Sequence, residues 1–174
     1  IELTKNTLGQ PYQTVLSEEL GWEQTYNSRI LIKFDLTPIQ TINNENTVNS
    51  SSAYLNLIST EAINLPTDYT LYAYPLAEDW RNGQGNYNDD PAVKNGASWN
   101  FKSDYNTYDT WSRSNQYQDT FITGGGSWYT SSFATQSFSF DDPNISMNVT
   151  RILNSHLSGS IINNGIIIKH SSAA

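Results

Sequence analysis

Ser28–Leu36 reads SRILIKFDL, and Asn148–Ser171 answers it with NVTRILNSHLSGSIINNGIIIKHS. In the first stretch Ile30, Ile32 and Phe34 fall on one side of an extended chain, and Arg29, Leu31, Lys33 and Asp35 on the other. Apolar residues in the middle of both sides predict a central strand that carries an inward charge and ends before Pro38. In the second stretch Val149, Ile152, Leu153, His156 and Leu157 recur at helical spacing. That stripe predicts a short helix started by Asn148 or Thr150 and closed at Gly159 in a left-handed conformation. Gly165–His170 (GIIIKH) then reads as the last strand. The two stretches predict neighbouring positions in one closed β-sandwich.

Between them, Ala53–Ser59 (AYLNLIS) alternates with Ala53, Leu55 and Leu57 on one face. Asp68–Pro75 (DYTLYAYP) sets Leu71 and Ala73 against Tyr72 and Tyr74, and Ser132–Phe140 holds a further strand in which Phe138 and Phe140 share a face. Two short strands are expected within residues 1–27, and residues 40–52 read as a polar loop. From Asp79 to Gly126 the periodicity fades and Gly, Asn, Asp and Trp dominate. A connection of that length in a compact domain is usually functional or ordered by a ligand.

The chain has 174 residues, enough for a single domain over 1–174 with a sizeable core. Aromatic residues make up 13% and charged residues only 15%, so hydroxyls and amides rather than ion pairs wet the outer sheet faces. A net charge of −8 argues against a nucleic-acid partner, which would need clustered Lys and Arg. Without cysteine there is neither a disulfide framework nor a thiolate metal site. No apolar run is long enough to span a bilayer. The chain opens on Ile1 without an initiator Met or an apolar signal region, which reads as a processed product or a portion of something longer.

The Arg-led strand ending Phe-Asp-Leu, the SAYLNL strand and the closing NVTRILNSHLSG…NNGIIIKHS resemble the DNRLRE-type β-sandwich domains, a group similar to a family of carbohydrate-binding modules. EDWRNGQGNYNDDP, GASWNF, Trp111, GGGSWY and SFSFDDPNISMNVT, in that order, are closer still to virion structural proteins of tailed phages, particularly marine ones. The resemblance covers residues 28–171 and rests on order and spacing. It implies a jelly-roll-like sandwich and a structural role on the particle exterior, as a tail or fibre component or a capsid decoration. Two positions depart from the pattern. Asn148 stands where the family has Asp, which weakens the inference of a cation near that cap, and His156 stands where a helix Trp is usual, a change of packing.

Four sets of residues carry candidate roles. Asp79, Asn86, Asn88, Asp89 and Asp90, spaced by Gly83 and Gly85, supply the oxygen-rich loop chemistry of a calcium site. They fit equally a turn cluster satisfying its own backbone. Trp80, Trp99, Trp111 and Trp128 with Tyr87, Tyr105, Tyr108 and Tyr129 can form the core of the long excursion, a subunit interface or a sugar-stacking platform. Asp35 reads as a cation or sugar ligand, or structurally as an acceptor at a turn or a partner of buried Arg29; Thr150 is structural at the helix start. His156 and His170, the only histidines, lie on the helix stripe and at a strand end. The adjacent carboxylate pairs Glu18–Glu19, Asp89–Asp90 and Asp141–Asp142 point opposite ways if extended, so no glycosidase-like pair is implied.

The expectation is therefore an all-β sandwich of eight to ten strands and a non-catalytic virion structural protein. It would sit on the particle exterior or outside a cell, and would contact copies of itself or other virion proteins. Calcium is the one cofactor suggested. A carbohydrate-binding module facing cell-surface polysaccharide, or an extracellular filament or adhesin subunit, are the alternatives.

Overall fold

The computed structural model describes residues 29–43, 52–58, 69–85, 89–91, 93–104, 109–112, 125–138 and 144–170. The described residues form mostly strands in antiparallel sheets, as expected for an all-β chain. In order they are β1 (Arg29–Ile32), α1 (Thr37–Asn43), β2 (Tyr54–Leu57), β3 (Tyr69–Pro75), β4 (Phe101–Ser103), β5 (Asp109–Thr110), β6 (Ala134–Phe138), β7 (Ile145–Asn148), α2 (Thr150–Leu157) and β8 (Ile166–His170). The strands expected within residues 1–27 lie outside the described residues, as do the side chains of Phe138 and Phe140.

The chain divides into two compact units, residues 1–31 with 78–127, and residues 32–77 with 128–174. The second unit is built on β8. Its run IIIKH is buried on both faces, which is what a β-branched strand flanked on both sides requires. In its sheet β3 lies between β8 and β6 and pairs antiparallel with both. Alternation in β3 turns Leu71, Ala73 and Pro75 to one face, with Ala73 fully buried, and Thr70, Tyr72 and Tyr74 to the other. Gly165 (φ +100°) lets the chain enter β8 against the Ile32 carbonyl.

β2 and β7 pair antiparallel, Leu55 opposite Met147, both buried. The Gln136 side chain joins this pair to β6: its Nε2 donates to the Asn144 carbonyl at 2.9 Å, and its Oε1 accepts from Ser146 N–H at 2.6 Å. α2 follows β7 directly. Asn148 Oδ1 accepts from the Thr150 N–H and hydroxyl at 3.1 and 2.7 Å, and Thr150 Oγ1 accepts from Ala53 N–H at 2.8 Å. Ile152, His156 and Leu157 are buried on the apolar stripe, and Gly159 takes φ +72° just past the C-terminus.

Three expectations are corrected. The strand over Arg29–Leu36 ends at Ile32. Phe34 is 50% exposed beyond it. Residues 40–52 begin not with a loop but with the end of α1, a helix that Pro38 enters in its first turn, where a missing N–H costs nothing. The excursion between Asp79 and Gly126 is not wholly aperiodic, since β4 and β5 pair across it, with Lys102 Nζ 3.4 Å from Asp109.

Candidate functional site

One face of the second unit gathers aromatic rings. Tyr72 and Tyr74, two residues apart on β3, stack with centroids 5.9 Å apart and planes 5° from parallel. Phe133, just before β6, sits 5.9 Å from Tyr74 and 6.3 Å from Tyr72. Trp128, bridged to the chain at Leu76, lies 6.1 Å from Tyr74, and Lys169 Nζ stands 4.7 Å from the Trp128 ring. Register explains the grouping. Tyr72 is opposite Thr135 on one side and Lys169 on the other, and Thr70 is opposite Ser137, so all project from one face. The Thr70 and Ser137 hydroxyls are 2.9 Å apart.

The face is only half covered. Phe133 is 46% exposed, and Thr135 and Ser137 are exposed beside it. Partial burial and the neighbouring Tyr72 oxygen raise the pKa of the Tyr74 phenol, so that ring presents a neutral hydroxyl at physiological pH. Lys169 is buried, 8% exposed, with its ammonium over the Trp128 ring. The surface is thus apolar, rimmed by hydroxyls. It suits a flat apolar partner or the C–H face of a sugar.

The first unit disposes of the expected aromatic platform differently. Trp111 is fully buried and donates from Nε1 to the Ser98 carbonyl at 3.0 Å, making it core. Trp99 lies under the guanidinium of Arg29, 4.4 Å from ring centroid to Cζ, and Arg29 donates to the Gly125 carbonyl at 2.7 Å. Trp80 is half-buried, and Tyr129, in the second unit, is 42% exposed with its N–H donating to the Pro75 carbonyl at 3.0 Å. Tyr87, Tyr105 and Tyr108 lie outside the described residues. Of the expected ring set, Trp80, Trp99 and Trp111 thus belong to the first unit, and Trp128 and Tyr129 to the second. Tyr72, Tyr74 and Phe133 went unnoticed, although the alternation of DYTLYAYP already placed the two tyrosines on one face.

Of the acidic candidates, Asp79 and Asp90 are exposed, Asp89 is half-buried, and Asn86 and Asn88 lie outside the described residues. Among the described residues no three His, Asp or Glu side chains converge as a metal site would require. Glu78 is held on several sides: both oxygens accept from Ser112 N–H at 3.1 Å, and Ser127 Oγ is 3.5 Å away. Burial raises the Asp104 carboxyl, an effect opposed by the charge of Lys94. Asp35 is exposed beyond β1 and accepts from Thr37 N–H at 2.9 Å where α1 opens; the Thr37 hydroxyl first, and this N–H second, lower its pKa. Among the described residues no helix is long and apolar enough to cross a membrane.

No protein-family model matches the chain, and neither a curated protein nor a solved structure shows significant similarity to it.

Proposed function

We propose that the chain is a non-catalytic structural component of a virion exterior, in the tail, a fibre or a capsid decoration, that works through contacts with copies of itself or with other virion proteins. In this reading the β2–β7 pair and the sheet of β8, β3 and β6 belong to the layers of a jelly-roll-like sandwich. The observation that carries it is the Tyr72–Tyr74–Phe133 cluster, which leaves a half-exposed aromatic surface free of uncompensated charge. Aromatic residues are enriched at the centres of interfaces, and a stable interface needs about 800 Å² from each partner. Electron microscopy and sedimentation of the purified chain test it. Regular arrays or closed oligomers, lost in Phe133→Ser without loss of fold, are the expected result; a strict monomer at high concentration overturns it.

The second reading is a carbohydrate-binding module, favoured by the hydroxyls of Thr70, Thr135 and Ser137 along the same rings. A monomer retarded by polysaccharide in affinity electrophoresis, and released by Tyr74→Ala, would support it over assembly. A calcium clamp on the stretch from Asp79 to Asp90 belongs to the same proposal. Chelation should lower the melting midpoint, because a ligand of the native state stabilises it by mass action; an unchanged midpoint removes the ion.

A further inference from the structure

Strand alternation puts Thr70, Tyr72 and Tyr74 of β3, Thr135 and Ser137 of β6, and Ile167 and Lys169 of β8 on one face of the second unit. Phe133 adjoins them, 5.9 Å from Tyr74, and is the most exposed ring of the cluster. Lys169 is the one charged side chain among these positions, and it is buried with its ammonium over the Trp128 ring. What the described part of this face offers to solvent is therefore aromatic ring and hydroxyl.

The whole chain carries a net charge of −8. Two copies repel one another across surfaces that share this sign, so they approach at least cost where acidic side chains are missing from the contact. The hydroxyls favour a copy for a second reason. A carboxylate only accepts and an ammonium only donates, so neither can bond its own counterpart, whereas a serine or threonine hydroxyl does both. Thr135 is exposed, and the 2.9 Å bond between Thr70 and Ser137 leaves one O–H of that pair to donate elsewhere. Aromatic rings also pair with their own kind, edge to face or offset.

We propose that this face is a self-complementary interface through which two copies of the chain meet about a two-fold axis, with Phe133 of one copy beside Phe133 of the other. The inference rests on the assembly role proposed above and narrows its partner to a second copy in an isologous contact. A head-to-tail contact would join this face to a different surface and grow into rings or filaments instead of closing at two.

The whole chain carrying Phe133→Lys or Phe133→Glu tests it by sedimentation, with circular dichroism as the check on folding. Each variant alone sets like charges together at the axis and is expected to raise the dissociation constant of the dimer about a hundredfold. An equimolar mixture should recover dimers, since lysine then meets glutamate. In a head-to-tail contact residue 133 never meets its counterpart, so a mixture that stays dissociated overturns the two-fold while leaving assembly through this face intact. The native dimer should tighten as salt is raised, because screening relieves the repulsion between two acidic chains; weakening by salt overturns the proposal. Should the charged variants not fold, Thr135→Cys gives a chain without cysteine a single thiol, and a short bismaleimide should then join copies at that position. An oligomer that yields no such product overturns the two-fold. Assembly undiminished in both charged variants overturns the choice of face, and a native chain that stays monomeric at high concentration overturns the assembly role with it.

Discussion

The guanidinium of Arg29 sits over the ring of Trp99 at 4.4 Å and reaches past it to the Gly125 carbonyl. The arrangement explains how a charge on a strand is buried to 1% exposure: its plane meets an aromatic face while its edge meets an oxygen. Arg29→Leu is expected to destabilise the fold by about 2–4 kcal/mol, through the lost charge-assisted bond and the lost cation–π contact. Arg29→Lys should recover less than half, because an ammonium cannot stack and bond at once. Urea denaturation measures both. A loss below about 0.5 kcal/mol for the leucine variant would contradict this account.

Gly159 and Gly165 share a positive φ but not a neighbourhood. A Cβ at Gly159 meets nothing within 4 Å, whereas at Gly165 it would run into the Ile32 carbonyl. Gly159→Ala is expected to cost about 1 kcal/mol, the strain of a left-handed alanine alone. Gly165→Ala should cost about 3 kcal/mol, since backbone rather than a movable side chain must give way. Equal melting shifts in the two variants would refute the difference.

Thr150 both receives from Ala53 N–H and donates to Asn148, tying the start of α2 to the residue before β2. Thr150→Val keeps the shape and removes both bonds. A loss of about 1–2 kcal/mol is expected, most of it from the stranded Ala53 N–H. Faster amide hydrogen exchange at Ala53 in the variant would locate the loss there.

Burial holds the His156 imidazole below the 6.5 of a free side chain, despite its bond to the Ile161 carbonyl. The unfolded chain therefore takes up a proton before the folded one does. Stability is full above pH 6.5, falls as the pH drops below it, and levels off beneath the folded pKa. Denaturation midpoints from pH 8 to 5 should decline in the native sequence and decline less in His156→Phe. Parallel profiles would show that His156 is not the cause.

Periodicity made some elements readable and left others hidden. Alternation in AYLNL and DYTLYAYP identified β2 and β3, and the stripe from Val149 to Leu157 identified α2, because each buries one face and exposes the other. α1 escaped notice because TPIQTIN is short and mostly polar, so its start depends on Asp35 and Pro38 rather than on an apolar stripe. β7 is four residues long and leads straight into α2, which blurs a period of two into one of 3.6. The rings could be counted but not allocated: full burial of Trp111 and half-burial of Tyr72 are products of tertiary packing, and composition treats them alike.

Gln136 has the last consequence. Ladders of main-chain bonds tolerate nearly any residue, but the seam between β6 and β7 uses an amide group that imitates a peptide unit, offering one proton and one lone pair to Asn144 and Ser146. That seam is consequently written in a single codon. Glutamate at this position would keep the length and lose the proton, and the join could be unfastened while every strand kept its own sequence.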